Sequence, residues 1–339
     1  MKKISTWDAV GFVLCHDITQ IVPGGKKGVA FKKGHVIKED DIQLLLSLGK
    51  DHIYVWEAEE GMLHENDAAE RLKNLTAGKG LSFSDVKEGK IEFIASENGL
   101  LKVNVQQLFQ LNSLGETILS TLHNNLPVKK GQKVAVTRVV PLLIEEEKIK
   151  IAEKTIKEKI VKVIPFTPKK IGIVTTGNEI YHGRIKDAFG PTISKKAEEY
   201  NCEILGQTIL PDNLDKITAA INNWIDKGAE IVICTGGMSV DPDDVTPTAI
   251  RNSGAEIISY GTPILPGSMF LLAYNGDIPV LGLPGGAIHS KRTAFDLVFP
   301  RILAGEKLNH SDLAAYGHGG LCMGCEECTF PNCTFGKGV

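Results

Sequence analysis

Residues 169–179 have the sequence KKIGIVTTGNE, in which an apolar run ends at threonines, a glycine and two polar residues. Such a run is typical of a parallel strand that is buried on both faces and is followed by a loop and a helix. Similar runs lie at 230–234 and 278–282, and a clear amphipathic helical pattern lies at 214–225. The alternation of strands and helices over 166–306 predicts an α/β domain with a doubly wound, mostly parallel sheet in three layers.

The rest of the chain divides into an N-terminal region, 1–165, and a cysteine-rich tail, 307–339. Short β-like runs around few helical patterns predict a β-rich, mixed α+β N-terminal region of one or two units. The sequence SENG at 96–99 separates two apolar runs, and its Asn-Gly pair predicts a hairpin turn. The charged segment 145–162 predicts a connecting hairpin or helix.

Composition excludes several function classes. The 339 residues contain 38 Lys and Arg against 41 Asp and Glu, a formal net charge of −3, which predicts no nucleic-acid partner. No apolar run approaches the roughly 20 residues that cross a bilayer, so no membrane association is expected. Thr6 and Asp8 interrupt any signal-peptide core, and we therefore expect a cytoplasmic protein.

Three glycine loops follow predicted strands. Their sequences are TGNE at 176–179, TGGMS at 235–239 and GLPGG at 282–286. Ligands of open α/β sheets bind at the carboxyl ends of the strands. Glycines let backbone N–H groups approach an anion closely, and the dipole of a following helix favours negative charge. The loops therefore predict an anionic, phosphorylated ligand.

The same edge of the predicted sheet is acidic. Its carboxylates are Glu179, Asp187, Asp241, Asp243 and Asp244. Carboxylates beside a phosphate repel it unless a divalent cation lies between them. One of Asp243 and Asp244 is alternatively a cap of the following helix, but capping does not account for the whole set.

Four segments resemble, in family order, the molybdopterin-binding domain of molybdenum-cofactor biosynthesis proteins. They are IVTTGNE at 173–179, TGGMS at 235–239, DVTP at 244–247 and GLPG at 282–285. The resemblance covers about residues 168–305. The N-terminal half is more loosely similar to multi-domain molybdopterin molybdenumtransferases, with its best local match, GVAFKKGHVI, at 28–37.

The resemblance implies that the glycine loops hold the phosphate of molybdopterin and that the acids handle Mg²⁺ or molybdate. Asp187 and Asp244 match the aspartates that follow the first and second loops, and we expect them to be catalytic. The expected ligand-binding residues are Thr176, Gly177, Asn178, Glu179, Thr235, Gly236, Gly237, Ser239, Asp241, Pro266, Gly267, Ser268, Pro284, Gly285 and Gly286.

The chain departs from the transferase pattern at three places. Asp241 replaces a glycine, Ser268-Met269 replaces a Lys-Pro pair, and Gly286-Ala287 replaces an Asn-Pro pair. The Asp-x-Thr-Pro unit at Asp244 is closer to the adenylyltransferase branch, which activates molybdopterin with Mg-ATP. The lost lysine and asparagine remove hydrogen bonds at the edge, which favours binding over turnover.

Three functions therefore stay open. The first is a molybdenumtransferase-like enzyme that inserts molybdate with Mg²⁺. The second is a non-catalytic carrier or sensor of molybdopterin or its adenylated form, whose tail docks a molybdoenzyme or another cofactor-biosynthesis protein. The third is a metal-binding adaptor with a structural α/β domain. The resemblance also implies a homo-oligomer.

The tail contains four cysteines in twelve positions, with the pattern Cys322-x2-Cys325-x2-Cys328-x4-Cys333. In a reducing compartment such a cluster predicts a metal site rather than disulfides. Two consecutive two-residue spacings are closer to iron–sulfur runs than to paired zinc ligands. We therefore expect an iron–sulfur cluster, with Zn²⁺ as the alternative.

Overall fold

The computed structural model describes residues 2–20, 28–55, 61–239 and 244–338, and the chain forms two compact units. The first unit consists of Met1–Ser96, Val103–Leu122 and Gly131–Lys162. The second consists of Glu97–Lys102, His123–Lys130 and Val163–Val339. Within the described ranges, no helix has both the length and the apolar character that crossing a membrane requires.

Short strands dominate the N-terminal half, and longer strands alternate with helices in the C-terminal half. The strands are β1 (Lys2–Ser5), β2 (Ile18–Gln20), β3 (Gly28–Phe31), β4 (His52–Val55), β5 (Met62–His64), β6 (Leu81–Phe83), β7 (Lys90–Ala95), β8 (Gly99–Val103), β9 (Thr117–Thr121), β10 (Leu126–Val128), β11 (Lys133–Val139), β12 (Leu143–Glu145), β13 (Val161–Pro165), β14 (Lys170–Thr176), β15 (Glu203–Leu210), β16 (Ile231–Thr235), β17 (Glu256–Tyr260), β18 (Leu271–Asn275) and β19 (Ile278–Leu283). The helices are α1 (Asp41–Ser47), α2 (Glu65–Thr76), α3 (Val105–Asn112), α4 (Glu146–Thr155), α5 (Asn178–Tyr181), α6 (Phe189–Glu198), α7 (Leu214–Asp226), α8 (Thr246–Asn252), α9 (Gly286–His289), α10 (Ala294–Leu303) and α11 (His310–Ala314).

The first unit contains an antiparallel sheet of order β6-β7-β11-β9 and two-stranded pairs β1-β4, β2-β3 and β5-β12. The charged segment after β12 contains helix α4, one of its two predicted forms. The hairpin predicted at 96–99 is wrong, because β7 pairs with β6 and β11 whereas β8 pairs with β10. A side chain at Gly99 would overlap the carbonyl oxygen of Ile164 in β13, the strand that lies on the other side of β8 from β10.

The second unit is built on a six-stranded sheet of order β15-β14-β16-β19-β18-β17. Strands β15, β14, β16 and β19 are parallel, and β18 pairs antiparallel with both β19 and β17. The predicted mixed α/β class is confirmed, and so is the hairpin between β18 and β19. The carboxyl ends of β14, β16 and β19 consequently lie at one edge of the sheet.

Side chains of the central strands alternate between two buried clusters. Ile171 and Ile173 of β14 pack in a cluster that contains Phe295 of α10, whereas Val174 packs with Ile217 of α7. Both faces of β14 are therefore covered, which explains its continuous apolar sequence. Each fully buried aliphatic side chain of this kind contributes about 1.5–3 kcal/mol.

The single helix predicted from about 286 to 303 is wrong. The chain forms α9 and α10 instead, separated by four residues. Thr293 begins α10 with a capping box: its side chain accepts from the backbone N–H of Asp296, and the Asp296 carboxylate accepts from the Thr293 backbone N–H at 2.8 Å. This reciprocal pair favours a new helix start over continuation of α9.

Helix α7 packs on the sheet through Trp224, which is 7% exposed. Two glycines make room for its indole: a Cβ at Gly172 of β14 would lie 2.6 Å from Cγ of Trp224, and one at Gly206 of β15 would lie 2.7 Å from Cη2. The absence of a side chain at these two positions sets the distance between helix and sheet.

We predict that Gly172→Ala lowers the free energy of unfolding by about 1–3 kcal/mol, because the added methyl group overpacks the indole. Urea denaturation of the full chain measures the change. Gly285→Ala is the matched control, since a Cβ at Gly285 meets no atom within 4 Å and should leave stability unchanged. Equal stability of the two variants would contradict this account of the packing.

Candidate functional site

The first two glycine loops meet at the carboxyl ends of β14 and β16. Gly236 has φ +84°, and a Cβ there would overlap the carbonyl oxygen of Thr176. Gly237 has φ +55°, and its Cβ would lie 2.9 Å from the hydroxyl oxygen of Thr246. The hydroxyls of Thr176 and Thr246 are 3.3 Å apart and buried. We call these four residues the threonine–glycine edge.

A buried hydroxyl network lies one residue below this edge. The hydroxyl of Thr235 donates to Oγ1 of Thr175 at 3.1 Å, and Nε2 of Gln207 donates to the same oxygen at 2.8 Å. These bonds connect β15, β14 and β16 and satisfy polar groups that would be costly to bury alone. Thr235, one of the expected ligand-binding residues, therefore has a structural partner in this network.

Asp187 is held at the start of α6. Its carboxylate accepts from the backbone N–H of Phe189 at 2.8 Å and of Gly190 at 3.2 Å, and from Nε2 of Gln207 at 2.7 Å. Satisfying free N–H groups at a helix N-terminus stabilises the helix. The geometry thus gives Asp187 a capping role, while its expected catalytic role stays a prediction.

Asp244 lies beside the threonine–glycine edge, since a Cβ at Gly237 would be 3.7 Å from its Cα. The hydroxyl of Tyr260 lies 3.0 Å from the carbonyl oxygen of Met238 and 3.1 Å from that of Ser239. Burial and the negative charge of Asp244 raise the pKa of Tyr260, which favours its neutral, donating form. Asp241 and Asp243 lie outside the described residues.

Tyr260 carries no motif in the sequence, so nothing indicated its place at the site. It is the last residue of an edge strand, β17, and only the order of the sheet and the course of the second loop bring its hydroxyl to Met238 and Ser239. Aromatic residues at strand ends are too common to single out one of them.

A backbone N–H of the first loop is hydrogen-bonded to a carboxylate of the same chain, that of Asp212. The backbone N–H of Asn178 donates to Oδ2 of Asp212 at 2.9 Å, and the backbone N–H of Asp212 lies 3.4 Å from Oδ1 of Asn178. The carboxylate of Glu179 lies against Gly177, whose φ is +137°. An amide that the sequence assigned to the ligand is therefore occupied by Asp212, which sequence reasoning missed.

The third loop is more open. A Cβ at Gly285 or Gly286 would meet no atom within 4 Å, so the backbone after Pro284 is accessible to a ligand. Gly267 is tightly packed instead, with φ +112° and a Cβ position 2.8 Å from the backbone nitrogen of Ala294. Ser268 accepts through its carbonyl from the backbone N–H of Thr262 at 2.8 Å.

The four tail cysteines line one cavity of about 280 Å³, together with Lys291, Arg292 and Phe330. Across the described part of the chain, no three side chains of His, Cys, Asp or Glu are close enough together to hold one metal ion. The metal site therefore stays a prediction.

Comparison with known proteins assigns two regions of the chain. Residues 172–304 match a family model described as "Probable molybdopterin binding domain", and residues 3–57 match a domain of unknown function, DUF8806. The region that contains the three glycine loops thus belongs to the molybdopterin-binding domain family, as its motifs implied.

Individual relatives match only in part. The molybdopterin molybdenumtransferase of Haemophilus influenzae is 29% identical over 160 residues, which are 44% of this chain and 38% of that protein. A CinA-like protein of Mycobacterium avium is 33% identical over 90 residues, which are 26% and 21% of the two chains. The matches thus span about a fifth to two fifths of these curated relatives.

The solved structure of the molybdopterin biosynthesis enzyme MoaB from Thermus thermophilus is 21% identical to this chain. It aligns over 41% of this chain and 98% of its own, with a TM-score of 0.34.

We predict that Asp187→Ala lowers the free energy of unfolding by about 1 kcal/mol, because two backbone N–H groups of α6 lose their acceptor. Asp187→Asn keeps an oxygen acceptor and should lose less. Urea denaturation at constant pH measures both. An unchanged midpoint for Asp187→Ala would show that the carboxylate does not stabilise α6.

Proposed function

We propose that the second unit binds molybdopterin, or its adenylated form, at the threonine–glycine edge, and that the protein acts in molybdenum cofactor biosynthesis. The family match over residues 172–304 supports the ligand class. The similarity to the molybdopterin molybdenumtransferase of Haemophilus influenzae supports the process. We also propose that the six-stranded sheet of the second unit belongs to the doubly wound class, with helices covering both faces to give three layers.

The observation that carries this proposal is the close approach of β14 and β16 at their carboxyl ends. Gly236 and Gly237 keep side chains away from the two threonine hydroxyls, and Gly285 and Gly286 leave the neighbouring loop open. Hydroxyls and glycine amides are donors suited to a phosphate group. The edge therefore offers the kind of donor that the terminal phosphate of the pterin would need.

Asp244 is the residue that we assign to a divalent cation. Its carboxylate is an oxygen ligand of the type that Mg²⁺ prefers, and it lies beside the glycine that borders the phosphate position. When bound, Mg²⁺ would neutralise charge between the phosphate and this carboxylate. Asp187 is less suited to the same task, because three N–H groups already engage its carboxylate.

Molybdate insertion by a molybdenumtransferase-like reaction is the activity that we propose, with molybdate as substrate. A carrier or sensor is the second candidate. Two contacts favour it. The carboxylate of Asp187 is already occupied by three N–H donors, and the carboxylate of Asp212 accepts from the Asn178 backbone N–H that a ligand phosphate would otherwise use. A ligand phosphate at the first loop would have to displace the Asp212 carboxylate. For either function, we place the protein in the cytoplasm. We also propose that it forms a homo-oligomer and binds a molybdoenzyme or another cofactor-biosynthesis protein.

We expect Thr246→Val to weaken molybdopterin binding about tenfold, since it removes a hydroxyl donor at nearly constant volume. Equilibrium titration of the purified full chain with molybdopterin, followed by fluorescence, measures the dissociation constant. Thr246→Ser restores the hydroxyl and should bind like the unaltered protein. Equal affinities of all three proteins would remove the edge from the binding site.

We expect Asp244→Asn to retain molybdopterin binding but to lose most molybdate-dependent cofactor formation, because the neutral amide is a poorer Mg²⁺ ligand. Chelation of Mg²⁺ in the unaltered protein should produce the same loss. The assay follows cofactor formed from molybdopterin and molybdate by the purified chain. Full activity of the variant would contradict the assignment, and no activity of the unaltered protein would favour the carrier.

A further inference from the structure

We propose that Cys322, Cys325, Cys328 and Cys333 ligate an iron–sulfur cluster in the cavity that they line, called here the cysteine cavity. The inference does not rest on the proposed function, since it uses only the tail and its contacts. Four cysteines from twelve consecutive positions line this one cavity, and none of these described residues forms a disulfide. Such a concentration of free thiols is typical of a metal site.

The tail is anchored to the second unit on both sides of the cavity. The backbone N–H of Cys322 donates to the carbonyl of Leu265 at 2.8 Å, and the N–H of Leu265 donates to Gly320 at 2.8 Å. Beyond the last cysteine, Phe335 is 3% exposed in the core. Both ends of the cysteine segment are therefore held by the core. Binding of a cluster would draw the exposed Cys325 and Cys328 toward the other two thiols, because among the described residues no three such side chains are already close enough to hold one ion.

Burial differs among the four thiols in a way that suits a cluster near the surface. Cys322 and Cys333 are half-buried and pack against the apolar core, whereas Cys325 and Cys328 are exposed. Phe330 lies between the last two cysteines in sequence, contacts Phe335 with ring centroids 6.2 Å apart, and lines the same cavity. One side of the cavity is thus apolar and the other is accessible for loading.

The spacing of the cysteines favours a cluster over a single zinc ion. Two consecutive C-x2-C spacings are the ones that iron–sulfur runs use, whereas structural zinc sites commonly use separated pairs of ligands. The cysteine cavity, of about 280 Å³, is also open enough for iron and sulfide to enter.

The charge around the cavity also suits an anionic cluster. Lys291 and Arg292 both line it. Arg292 is already paired with the carboxylates of Glu199 at 3.0 Å and Asp296 at 2.9 Å. The cation that would offset the charge of a cluster is therefore Lys291, whose Nζ donates to the carbonyl of Glu326 at 3.2 Å. Nearby cations stabilise thiolates, and each thiol must release its proton when it bonds to iron.

The test is reconstitution of the purified full chain, without oxygen, using Fe²⁺, sulfide and a thiol reductant. We expect about four iron and four sulfide ions per chain and the visible absorption that is typical of protein-bound iron–sulfur clusters. Reduction with dithionite should produce an electron paramagnetic resonance signal. The double variant Cys325→Ser/Cys328→Ser should lose the iron, the sulfide and the absorption. Its far-ultraviolet circular dichroism should match that of the unaltered chain, which excludes misfolding as the cause.

Two matched controls separate ligation from other effects. Thr329→Ala alters the same cavity without removing a thiol, and Cys202→Ala removes a thiol outside the tail. Both should retain the cluster. The proposal is overturned if the unaltered chain takes up no iron and sulfide, if it binds one zinc ion in preference to the cluster, or if the double variant keeps the absorption.

Discussion

The contact on which the site depends is the approach of Gly236 to the carbonyl oxygen of Thr176. Parallel strands β14 and β16 end side by side there, and the left-handed conformation of Gly236 turns the second loop across the end of the first strand. Any side chain at this position would overlap the backbone. The two threonine hydroxyls, the Gly237 backbone and Asp244 come together only because this turn is possible.

The surrounding polar groups are organised in two shells with different tasks. Gln207 connects the buried hydroxyl of Thr175 to the carboxylate of Asp187, which caps α6. Tyr260 contacts the carbonyls of the second loop from the end of the edge strand β17. The motifs marked these acidic residues as one group. The structure separates them into Asp187, which caps α6, and Asp244, whose Cα lies beside Gly237.

The second unit also brings the cysteine tail near the same part of the sheet. Pro266, which belongs to the expected ligand-binding set, lines the cysteine cavity together with His289 and Ser290 after the third loop. The pairing of Leu265 with the tail thus connects two features that are far apart in sequence. A ligand at the third loop and a group bound by the cysteines would therefore lie on either side of the same residues, Pro266, His289 and Ser290.

By itself the sequence determined the α/β class of the second unit, its strand–helix order and its three glycine loops, because burial on both strand faces and left-handed turns leave strong local signals. It misassigned the 96–99 hairpin, since an Asn-Gly turn does not reveal which strand a neighbour will pair with. Only the tertiary structure decided the partners of Asp187, the place of Asp212 and Tyr260, and the convergence of the cysteines on one cavity. Those contacts join distant segments, and their energies depend on sheet order and packing that no local pattern encodes.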